Sequence, residues 1–209
     1  MKLKKAMLAL VCALALVVGS VMGTMAYLTS QDEVTNTFTV GNVQINLDEV
    51  EIVNGVATGE RTEKGNQYKL LPNQQYAKDP TVTVLANSED AYVRALVTVT
   101  YNKDADAVLA DHDYETWFDF NANWEIQPNV VTVKTDETIA RTYEFRYNDV
   151  VEASEADQVL PAIFTTITLP GEITNAELET LNDLEINVVA HAIQEAGFAD
   201  VNAAWEAWN

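Results

Sequence analysis

From Val34 onward the chain alternates between apolar and polar side chains. A period of two fits only a strand that buries one of its faces. Within 34–40, Val34, Phe38 and Val40 oppose Thr35, Thr37 and Thr39, and Asn36 falls in phase with the apolar set. After Gly41, where a bulge or bend is expected, Val43, Ile45 and Leu47 oppose Asn42, Gln44 and Asn46. The rhythm returns at 81–85, 92–101, 130–134, 142–147, 163–169 and 184–193; in 142–147, Tyr143, Phe145 and Tyr147 share a face. No long amphipathic helix separates these runs. They predict an all-β fold, an antiparallel two-sheet sandwich of jelly-roll-like topology.

Between the strands, 54–66 reads as a turn-rich connection in which Asn54-Gly55 is the strongest turn signal. Short helices are expected near 175–182 and at the C-terminus. Thr174 and Glu177 spell a capping box ahead of Leu178 and Leu181. Asp200 is placed to cap a last turn bearing Val201, Trp205 and Trp208, the two tryptophans reading as a plug over the core.

The first 26 residues stand apart. Residues 1–5 carry three lysines, 6–18 are apolar, and 19–26 end in small residues, the order of a secretory signal peptide. Thr24 and Ala26 fit the −3 and −1 pockets of a signal peptidase, so the cut is expected between Ala26 and Tyr27, leaving one domain over 27–209. The apolar run falls short of the ~20 residues that span a bilayer, and no membrane association is expected after cleavage. The single cysteine, Cys12, lies inside the leader, so disulfides and thiol chemistry play no part in the mature chain.

Cleavage removes three lysines and no acid, taking the formal charge from −20 to −23. Nucleic acid and anionic lipid are thereby excluded as partners, because both repel such a surface. With 48% apolar residues, eight glycines and five prolines, collagen-like, low-complexity and disordered classes are excluded as well.

Catalytic chemistry has little to stand on. The only histidines, His112 and His191, show no zinc spacing, and there is no nucleophile elbow, phosphate loop or dinucleotide fingerprint. His191 falls in an expected strand, which favours a paired or edge-facing role. His112 sits between Asp111 and Asp113, a setting that favours its protonated form. The acidic run 104–113, continuing to Glu115 and Asp119, lacks the order of a calcium loop and reads as solvated. No cofactor, metal ligand or catalytic residue is assigned.

Several stretches together resemble the TasA/camelysin family of Gram-positive bacteria. The clearest is 27–43 (YLTSQDEVTNTFTVGNV), preceded by Gly23-Thr24-Met25-Ala26. Leu71-Pro72-Asn73, Lys78-Asp79-Pro80 and Ala91-Tyr92-Val93-Arg94 are similar to a second strand region, and 189–198 with Ala204-Trp205 to a closing strand. The resemblance implies a secreted jelly-roll subunit of extracellular biofilm-matrix fibres, released by an ER-type signal peptidase. It would polymerise head to tail with itself by lending an N-terminal donor strand, carried here by Val34, Asn36, Phe38 and Val40, with an accessory matrix protein as a further partner. Two alternatives remain open: a camelysin-like secreted metallo-endopeptidase, and a monomeric surface adhesin or accessory matrix protein.

Overall fold

The computed structural model describes residues 42–208. The expected cleavage junction, Ala26 and Tyr27, and the expected donor residues Val34, Asn36, Phe38 and Val40 lie outside the described residues.

Those described form strands β1 (Ile45–Val53), β2 (Val56–Thr62), β3 (Gln75–Ala77), β4 (Thr81–Val84), β5 (Ala91–Asn102), β6 (Phe118–Phe120), β7 (Trp124–Ile126), β8 (Val131–Lys134), β9 (Thr138–Tyr147), β10 (Gln158–Val159), β11 (Phe164–Thr168) and β12 (Glu185–Gln194). Three short α-helices accompany them, α1 (Asp106–Asp111), α2 (Asn175–Thr180) and α3 (Val201–Ala207), with two 3-10 turns at Lys103–Ala105 and Tyr114–Trp117. None is long and apolar enough to cross a membrane.

Every strand pairing is antiparallel, and the fold is an all-β sandwich. One layer runs β12-β5-β9, with β7 and β8 sharing the far edge of β9. The second comes in two pieces, β10-β4-β1-β2 and β3-β11-β6. Three backbone bonds continue the ladder from one piece to the other: Lys78 N–H to Thr165 O at 3.1 Å, Ile163 N–H to Pro80 O at 3.0 Å and Leu160 N–H to Val82 O at 2.9 Å. Pro80 has no N–H to give, so the regular pairing breaks there. Chain crossings between the layers follow β4, β5, β6, β9 and β11, the wrapping expected of a jelly-roll-like sandwich.

Alternation builds the core. In β5, Ala91, Val93, Ala95, Val97, Val99 and Tyr101 are all buried while their neighbours are half-exposed. Tyr143 and Phe145 of β9 join them from the same layer. Phe164 of β11 meets them from across the sandwich, edge-on to Phe118 at 5.2 Å, and Phe120 lies 4.7 Å from Phe145. Such ring pairs add specificity to the area they bury.

Two expectations are corrected. The connection read at 54–66 is mostly strand: Asn54 and Gly55, with φ of 54° and 80°, make a two-residue turn, and β2 returns along β1. Within the acidic run, 106–111 forms α1, because Leu109 plugs into the core; Asp111 is exposed, whereas Asp106 turns back to accept from the Tyr101 hydroxyl at 2.8 Å and from Arg141 at 3.0 Å. Elsewhere Thr174 and Glu177 close the expected capping box, and Asp200 accepts from Ala203 N–H at 2.9 Å.

Phe164 has no exposed surface. Phe164→Ala is expected to cost about 3–5 kcal/mol, whereas Val133→Ala, at an exposed position, should stay within about 0.5 kcal/mol. Urea midpoints of the two variants check this contrast.

Candidate functional site

β12 pairs with β5 along its whole length and has no strand on its other edge among the described residues. A second edge is open nearby. β1 pairs with β4 through Asp48 but meets β2 only from Glu49 onward, so its first four residues also have no strand on one side among the described residues. Between the two lies a groove of about 790 Å³. Its apolar wall includes Leu47 of β1, Ile186 and Val188 of β12, and Leu70, Ile167 and Leu184. The phase of β12 turns Ile186 and Val188 inward, yet both are only half-buried, because among the described residues the opposite layer offers no strand to cover them.

The groove has one polar end. Lys78, at the close of the β3 segment, places Nζ 2.5 Å from Glu49 Oε2, and both side chains are buried. Asn66 donates from Nδ2 to Glu49 Oε1 at 2.9 Å and to Val50 O at 2.7 Å, while its Oδ1 accepts from Ile52 N–H at 2.7 Å. The β1–β2 register slips between Val50 and Ile52, which frees those two backbone groups, and the Asn66 amide satisfies both. Beside them Tyr68 donates to Ala77 O at 2.7 Å. Burial first, and then the Glu49 charge, push its phenol up to about 12, so it remains protonated.

A smaller recess of about 310 Å³ lies between Val97, Phe118, Phe120 and Ile126. At its rim the Tyr114 and Tyr143 hydroxyls bond each other, and Tyr143 donates to Glu115 Oε1 at 2.7 Å. Nothing here pairs a nucleophile with a base.

The histidines are both engaged. His112 follows α1 and lies 3.5 Å from Glu177 Oε1, linking α1 to the capping box of α2. His191 faces outward from β12, accepts at Nδ1 from Arg94 Nε–H at 3.2 Å, and stacks on Trp208 at 4.8 Å. Arg94 in turn sits 4.4 Å over the Trp205 ring. The two tryptophans therefore cover the outer face of β12 and β5, and the expected plug over the core is corrected accordingly. Among the described residues, no group of three or more His, Cys, Asp or Glu side chains converges as a metal site.

Signals for the groove were uneven. The alternation of β12 marks Ile186 and Val188 as inward-facing, but Glu49, Asn66 and Lys78 carried none. Comparison of the chain with known protein families, curated proteins and solved structures finds no match.

Burial and the Arg94 charge hold His191 below its ordinary value. A histidine lowered on folding lends stability that is complete above the unfolded value of about 6.5 and is lost as pH falls through the folded value. Acidification from neutral pH should thus loosen α3, seen as a red shift of tryptophan emission. His191→Gln should remove that pH dependence.

Proposed function

We propose that the protein is a secreted structural subunit of extracellular matrix fibres, in which residues 27–40 of one copy fill the groove of the next. The observation that carries this reading is the apolar groove between two strand edges that have no partner among the described residues. An extended segment can hydrogen-bond to such edges and seat alternate side chains in the space between them. The chemistry of 34–40 suits that role, since Val34, Phe38 and Val40 lie in phase and no side chain there is charged. Burying a Val or Phe side chain gains about 1.5–3 kcal/mol, so the three together outweigh a modest ordering cost.

The position of the first described residues supports transfer between copies. Asn42 and Gln44 run beside 85–89, held by Glu89 N–H to Asn42 O at 3.0 Å and Leu85 N–H to Gln44 O at 2.9 Å, next to the start of β5. The groove is lined by β12 residues 185–188, which register with Thr100 to Val97 toward the other end of β5. At ~3.3 Å per residue the near rim, at Leu47 of β1, lies at most about 17 Å from Asn42, and the β12 wall lies about 20–30 Å along β5 from its start. Entry at one end and an open groove toward the other suit stacking end to end.

Electron microscopy should show filaments for protein beginning at Tyr27 and none for protein beginning at Asn42. The latter should instead bind a peptide of residues 27–41. Ile186→Lys should block assembly while leaving far-UV dichroism unchanged. If both lengths stay monomeric at high concentration between pH 4 and 7, the fibre reading is wrong.

Charge adds a direction. A formal −23 per released subunit opposes association, and protonating carboxylates relieves it. Growth followed by light scattering should speed up as pH approaches about 4–5.

A further inference from the structure

Three side chains of complementary reactivity meet at the polar end of the groove: the primary amine of Lys78, the carboxyl of Glu49 and the carboxamide of Asn66. Lys78 Nζ contacts Glu49 Oε2 at 2.5 Å, and Asn66 Nδ2 donates to Glu49 Oε1 at 2.9 Å. One carboxyl group thus holds an amine and an amide side by side. Glu49 belongs to β1, Asn66 follows β2, and Lys78 lies between β3 and β4, so the tertiary fold and not local sequence brings them together.

Stability alone gives a weak reason for this arrangement. Burying an ion pair costs desolvation that its mutual attraction often fails to repay, and apolar residues of similar volume do as well or better. The third member is also placed for reaction. Asn66 Oδ1 accepts from the Ile52 N–H at 2.7 Å, a donor positioned to stabilise negative charge developing on that oxygen.

We propose that Lys78 and Asn66 join in an intramolecular amide bond, with Glu49 carrying the protons. The shared proton passes from Nζ to Glu49, and the neutral amine attacks Asn66 Cγ. The carbonyl electron pair moves onto Oδ1, under the Ile52 N–H. Glu49 gives a proton to Nδ2 and takes one from Nζ. When the pair on Oδ1 returns, the Cγ–Nδ2 bond breaks and ammonia leaves, accepting the remaining proton from Glu49. A lysine ammonium and a carboxamide become a secondary amide and an ammonium ion; nothing is oxidised or reduced, and Glu49 ends as the carboxylate it began as. Holding the partners together replaces a bimolecular encounter with a unimolecular one. The long, flexible lysine stem lets Nζ move from Oε2 toward Cγ, and the groove gives ammonia a way out.

The bond ties residue 66 to residue 78 around the segment bearing Leu70 and Tyr76, which line the groove. It fixes that wall covalently in a chain whose only cysteine is Cys12. The chemistry is independent of whether another copy fills the groove.

Intact-mass spectrometry of the exported full-length protein, compared with the sequence from its own first residue, should show a deficit of one ammonia, about 17 Da. Digestion should release a branched peptide joining Asn66 to Lys78. Lys78→Arg and Glu49→Gln should each restore the full sequence mass. Asn66→Asp should close the same bond by losing water and arrive at the wild-type mass. An undiminished mass for the wild-type protein overturns the proposal, and that measurement stands even where a variant fails to fold. A deficit that persists in Lys78→Arg overturns it too, since the ammonia is then lost without the Lys78 amine.

Discussion

The double pairing of β5 is the constraint on which the rest of the molecule depends. Flanked by β12 on one side and β9 on the other, it spends all its ladder capacity inside one layer and is left with two faces to dispose of. One carries Val93, Val97, Val99 and Tyr101 into the core. The opposite face carries Arg94, which anchors α3 through Trp205 and His191. A one-residue slip would reverse both faces at once. The register of this strand therefore fixes the hydrophobic core and the C-terminal cover together.

The second layer is looser and more informative. Pro80 interrupts its ladder, β1 changes partner from β4 to β2 partway along, and the bulge at Val50 and Ile52 needs a side chain to complete it. Each irregularity falls near the groove. A region that substitutes side-chain amides for ladder bonds and encloses an ion pair is built around something other than regular pairing. Its polar end and apolar wall are consequences of the same partner change in β1.

Much of the sandwich was legible because its long strands have one wet and one dry face. β5 alternates over all twelve of its residues, β9 over 142–147 and β12 over its first half, stretches long enough to show a strand's period. β3, β6, β7 and β10 were missed because two or three residues cannot display a period. β2 escaped for a different reason: Val56, Ala57 and Thr58 are exposed whichever way they point, so nothing selects an alternating pattern. α1 was hidden by its acids, which outnumber the one buried leucine that fixes it. Glu49, Asn66 and Lys78 are ordinary residues whose meeting is set by a bulge and a proline. The groove is harder still to foresee, since among the described residues it is a gap between two strands and leaves no letters in that part of the chain.

The first described residues and the groove lie toward opposite ends of β5, and that separation has a consequence for any assembly made through them. Successive copies must all point the same way, so the resulting thread has two unlike tips, one presenting a groove and the other an amino-terminal segment not yet lent to a neighbour. The two tips are then free to grow at different rates, and a molecule possessing only one of the two features terminates the thread instead of extending it.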